Sequence, residues 1–142
     1  MKIRKWAEFL ADFPYDAIED EHDIIQFSGR NVTEAIREIF VRMGYEVSEP
    51  VHAHEHGWTL DIVFQNRRIW CQISHVTESY YLCLEDSGFR WFKKRGPEFY
   101  VEAISRLASE LAVDPRFHDI TWRTDEELSG DGPGADHPVS ED

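Results

Sequence analysis

The sequence predicts an α+β (or α/β) fold: a central mixed β-sheet of about five or six strands flanked by helices. Three observations predict it. Between residues 31 and 43, Val32, Ile36, Ile39, Phe40 and Met43 form one apolar stripe at helical spacing. Residues 58–64 and 68–75, joined by the turn Gln65-Asn66-Arg67, are apolar on both faces, as in the covered centre of a sheet. After Pro97, the residues Tyr100, Val101, Ile104, Leu107, Ala108 and Leu111 give a second helical stripe.

The remaining elements follow in chain order. Trp6, Phe9, Leu10 and Phe13 stand at helical spacing, which predicts an N-terminal helix ended by Pro14. Residues 16–23 hold five acids and predict a solvated loop with at most one helical turn. Ile24, Ile25 and Phe27 predict a short strand or a plug for the core. Asn31 is placed to cap the next helix, with Glu34 as its capping-box partner and Gly44 at its end. Tyr45 to Val51 predicts a strand. Ser79 to Glu85 predicts another, with a turn at Asp86-Ser87-Gly88 and a return over Phe89 to Phe92. Asp114-Pro115 breaks the last helix, and Asp119 to Arg123 predicts a final strand. Without the N-terminal helix and the inserted second hairpin, the core order is αβββαβ. Residues 1–124 read as a single globular domain and residues 125–142 as an acidic disordered tail.

The 142 residues carry 28 acidic and 15 basic side chains, a net charge of -13. Seven of the acids follow Thr124, so the part before it has 21 acids against 15 bases, a charge of -6. A negative field repels nucleic acid and attracts basic partners. Composition is 42% hydrophobic and 13% aromatic, enough for one core without disulfides or structural metal. Cys71 and Cys83 read as reduced thiols. No apolar run follows the charged start Met1 to Trp6, and no stretch is long and apolar enough to span a membrane. The expectation is therefore a cytoplasmic protein with no membrane partner.

Several constellations bear on function. His52, His54 and His56 alternate and would share one face of a strand, as a transition-metal binder requires, with His75 or Cys71 able to supply a further ligand. Arg90, Lys93, Lys94 and Arg95 form a basic cluster before the last helix. No Ser-His-Asp order and no phosphate-cradling glycine loop is present.

Residues 31–75 resemble the PD-(D/E)XK nuclease fold, most closely its Mrr-like, resolvase-like branch. Met43-Gly44-Tyr45-Glu46-Val47 matches that family's helix exit. Asp61 falls at the family's metal-binding Asp, and Gln72 at its Gln or Glu. Ser74 stands where the family has a Lys, and Thr33 where its helix Glu falls, with Glu34 one position off. The resemblance therefore implies a nuclease-like scaffold without nuclease activity. Its alternative is a divergent Mg²⁺-dependent nuclease using Asp61, Gln72 and Glu34 or Glu46. In general character the chain is similar to small acidic immunity proteins that neutralise a partner toxin. That likeness implies a non-catalytic module without cofactor. Asp16, Glu19, Asp20, Asp23, Glu85 and Asp86 would face a partner's basic cleft, anchored by an aromatic such as Trp91.

Overall fold

The computed structural model describes residues 1–53, 57–87 and 98–141. Its elements are β1 (Lys2–Ile3), β2 (Trp6–Ala11), β3 (Ile18–Glu19), β4 (Ile24–Gln26), α1 (Arg30–Arg42), β5 (Glu46–Val47), β6 (Val51–Ala53), β7 (Gly57–Phe64), β8 (Arg67–Val76), β9 (Ser79–Asp86), α2 (Glu98–Val113), β10 (Phe117–Arg123), α3 (Asp125–Leu128) and β11 (Val139–Ser140). The α+β class and the central sheet flanked by helices are as the sequence predicts. The return strand expected over Phe89 to Phe92 lies outside the described residues.

The main sheet runs β10-β2-β9-β8-β7-β5, with β6 also on β7. It is antiparallel at every pairing rather than mixed. The cause is β2. A strand–helix–strand connection, β9–α2–β10, leaves its two strands running the same way. Because β2 inserts between them, each meets an antiparallel neighbour.

The expected N-terminal helix is therefore wrong: residues 6–11 form a strand. Ala7 and Phe9 are buried against the helices. Trp6, Glu8 and Leu10 point the other way and are only partly covered. A strand with apolar residues on both faces hides its two-residue period, and Trp6, Phe9, Leu10 and Phe13 then mimic a helical stripe.

α1 and α2 pack on one side of the sheet. Their buried residues, Ile36, Ile39 and Phe40 from α1 and Ile104, Leu107 and Leu111 from α2, share one cluster with Leu60, Ile62, Ile69 and Ile73. The phenol of Tyr100 donates to the Leu84 carbonyl and ties α2 to β9. Burial pushes that phenol's pKa up. Cys71 faces this core, opposite Leu84, whereas Cys83 pairs with Gln72 on the other face. Both thiols are free and point to opposite sides of the sheet. Burial raises both pKa values, that of Cys83 to about 12, so neither is a reactive thiolate.

The α1 cap also differs from expectation. The residue before the helix is Gly29, at φ 109°, and it has no side chain to cap with. Asp16 does the capping from across the loop, its two carboxylate oxygens accepting from the Gly29 and Asn31 amides, each at 2.8 Å. Asn31 instead donates its side-chain amide to the Pro14 carbonyl, and Glu34 pairs with Arg30.

Gly57 opens β7 at φ 95°, and a Cβ there would stand 2.4 Å from the Ile73 carbonyl oxygen. Gly57→Ala is therefore expected to cost at least ~1–3 kcal/mol in chemical denaturation, through backbone strain and a clash with a neighbouring strand. A neutral result would show that β7 and β8 separate easily at this end.

The segment after Thr124, expected to be disordered, is attached to the body. Thr124 and Glu127 form a capping box that starts α3. Arg4 donates to both oxygens of Glu127, at 2.9 and 3.3 Å. β11 pairs with β1, and Ala135 bridges Trp122. A segment poor in apolar residues is thus fixed by polar contacts that composition does not reveal. Amide and guanidinium hydrogen bonds hold the Glu127 pKa down at about 2. Its stabilising contribution is present above the unfolded carboxyl value near 4.5 and is lost as pH falls toward 2. Glu127→Gln should remove that contribution, leaving melting temperature less dependent on pH between ~4.5 and ~2 than in the parent chain. Equal pH dependence of the two proteins would contradict the linkage.

Candidate functional site

Among the described residues, the strongest surface feature is the β3–β4 hairpin. It pairs only with itself, Ile18 opposite Gln26 and Glu19 opposite Ile24, and stands apart from the main sheet. Tyr15, Ile18, Ile24 and Ile25 are 64, 48, 45 and 50% exposed, four of the ten exposed large apolar side chains among the described residues. Asp16, Glu19, Asp20, Glu21 and Asp23 lie among them, with no Lys or Arg between Tyr15 and Gln26. The tip is internally ordered: the Asp20 carboxylate accepts from the His22 and Asp23 amides at 2.9 and 2.8 Å, which lowers its pKa. Tyr15 donates to Glu19 at 2.8 Å. Apolar side chains that a small domain would ordinarily bury are thus exposed on a segment rich in carboxylates.

Both roots of the hairpin are anchored. Asp16 holds the entry to the start of α1, so it is a structural cap and not a free surface charge. At the exit, the Phe27 amide donates to His52 Nε2 at 3.1 Å and the Phe27 carbonyl accepts from Trp58 Nε1 at 2.9 Å. Ser28 Oγ and His75 Nδ1 are hydrogen-bonded at 2.7 Å, and the His75 ring lies flat on Tyr80 at 4.0 Å. Burial lowers the His75 pKa while Asp16 opposes the shift. Ser28 and His75 have the spacing of a nucleophile and its base. The α1 amides beside them, which would serve an oxyanion, are already bonded to Asp16. The pair thus acts as an anchor. It joins residues 47 positions apart, and no short motif announces it.

Of the nuclease-like residues, Asp61 and Gln72 are diagonal neighbours on paired strands, and Glu34 does not join them. Asp61 and Gln72 lie on the sheet face opposite the helices, alternating with the buried Leu60, Ile62, Cys71 and Ile73. Glu34 is exposed on α1, across the sheet from both. Thr33, where the family's helix Glu would fall, is fully buried and donates to the Gly29 carbonyl. Gln72 donates to Ser74 at 3.3 Å. Glu46 pairs in register with Val63 at the sheet edge.

Of the other carboxylates expected to face a partner, Glu85 is ion-paired with Lys5 at 2.5 Å and Asp86 with Arg67 at 3.3 Å. The open sheet face also carries Trp6, Trp70 and Tyr81, partly covered, with Arg123 bound to Glu8 at 2.9 Å. Trp91 and the basic cluster lie outside the described residues.

His52 is the described member of the alternating histidines, and its Nε2 is engaged by Phe27. His54 and His56 lie outside the described residues. Among the described residues no group of three His, Cys, Asp or Glu side chains is placed to hold a metal ion, and no helix is long and apolar enough to cross a membrane. The chain matches no family model, no curated protein and no solved structure.

Proposed function

We propose that this protein is an acidic, non-catalytic protein-binding module that covers a basic site on a partner, in the manner of an inhibitor of the immunity type. The observation that supports this reading is the β3–β4 hairpin, where four exposed apolar side chains sit beside Glu19, Asp20, Glu21 and Asp23 on a separately anchored element. Each part has a task. The carboxylates of Glu19, Asp20, Glu21 and Asp23 steer a cationic surface into contact. Ile18, Ile24 and Ile25 then enter its apolar floor and slow release. The partner is a basic protein domain with a cleft wide enough for a two-stranded hairpin.

The test is capture from native cell extract by the immobilised full chain and by a variant carrying Ile18→Ser, Ile24→Ser and Asp23→Lys. All three positions are exposed, so the variant keeps its core and the Asp16 cap. The expected result is a basic protein held by the parent, released by salt and absent from the variant. A captured protein held equally by both would remove the hairpin from the account.

A further inference from the structure

Resting on the docking role proposed for the hairpin, we infer that protonation of His52 releases the hairpin's exit and so governs its posture. The geometry lies in the clamp on Phe27. Its N–H is taken by a side chain of β6 and its C=O by a side chain of β7, at 3.1 and 2.9 Å. The His52 ring packs 5.5 Å from Phe27 and 5.1 Å from Trp58. The accepting Nε2 must present a lone pair, so the imidazole is the neutral Nδ1–H form. A proton on Nε2 would set one N–H against another. The bond and the proton exclude each other.

His75 behaves differently. Its Nδ1 meets a hydroxyl, which accepts from an imidazolium N–H as readily as it donates to a neutral ring nitrogen. Acid therefore opens the contact at Phe27 and keeps the one at Ser28, which becomes the pivot. Among the described residues, charged or titratable groups stand near the clamp on three elements. On α1, the Arg30 guanidinium lies 5.7 Å from the Trp58 ring and is paired with Glu34. At the hairpin entry stands Asp16, bonded to the α1 amides. On β8 stands His75.

The experiment is NMR on the isolated full chain from about pH 7.5 to about pH 5, the range in which histidines titrate. It follows the His52 imidazole, the Phe27 amide and the heteronuclear NOE of residues 18–26. As His52 takes up its proton, the Phe27 amide proton should move upfield and the hairpin NOE values should fall. Phe27 exchange protection, corrected for intrinsic rate, should drop roughly fivefold to tenfold, the worth of one backbone hydrogen bond. His52→Gln retains an acceptor oxygen and cannot titrate, so its spectrum should stay constant over the range. A Phe27 signal that ignores the titration of His52, a His52 that stays neutral to pH ~5, or a Gln variant that responds like the parent would each overturn the inference. Because no partner is present, failure here leaves the docking proposal standing. A clamp that opens as expected on a hairpin that binds nothing would end the docking proposal alone.

Discussion

Phe9→Ala should destabilise the protein by about 3–5 kcal/mol, lowering the melting temperature by roughly 10–15 °C for a chain of this size. Phe9 is 1% exposed, stacks on Tyr80 at 5.7 Å and meets Phe117 edge-on at 5.5 Å. Its removal leaves a cavity in the core, flanked by Tyr80 and Phe117 on the two strands that pair with β2. The neighbouring Leu10→Ala should cost ~1 kcal/mol or less, because Leu10 points to the open face. This asymmetry distinguishes the observed strand from the helix that spacing suggests. A helix with Trp6, Phe9, Leu10 and Phe13 on one stripe would make the two losses similar.

The second large effect concerns binding. Ile18, Ile24 and Ile25 are each about half exposed, so covering one contributes ~1 kcal/mol. Replacing all three with Ser should weaken partner affinity by roughly 100-fold, mostly through faster dissociation. Glu19→Lys with Asp23→Lys should act chiefly on the association rate, and the loss should shrink as salt is raised. Neither set should alter the melting temperature by more than ~2 °C, because none of these side chains belongs to the core. A variant that binds poorly but also melts early would point to collapse of the hairpin root rather than loss of contact.

What the sequence discloses depends on whether a signal is local. α1 was legible because its stripe lies within thirteen residues. The β7–β8 hairpin was legible because two apolar strands flank a two-residue turn, where Gln65 and Asn66 both have positive φ, although only one face of the pair is covered by the helices. β2 was not, since its apolar residues serve both faces. The pairing of β2 between β9 and β10, which makes the sheet wholly antiparallel, joins the two ends of the chain and leaves no local trace. The attached tail is a mixed case. Thr124 and Glu127 carry a readable capping box, but its anchor, Arg4, is 123 residues away.

The candidate site divides the same way. Glu19, Asp20 and Asp23 were singled out by charge alone, and the structure places them on a hairpin beside exposed isoleucines. Asp16 belonged to the same acidic run, but it caps α1. Glu85 and Asp86 were paired by Lys5 and Arg67, neither of which their own neighbourhood predicts. The Phe27–His52 and Ser28–His75 contacts bring together residues 25 and 47 positions apart. The alternating histidines suggested a metal, whereas His52 accepts a backbone hydrogen bond.

Amide chemical-shift mapping of the labelled chain against the captured basic partner tests the central claim most directly. The largest changes should fall on residues 15–26 and disappear in the Ile18→Ser, Ile24→Ser, Asp23→Lys variant. Changes centred instead on Trp6, Trp70 and Tyr81 of the open sheet face, with the hairpin signals unmoved, would contradict it.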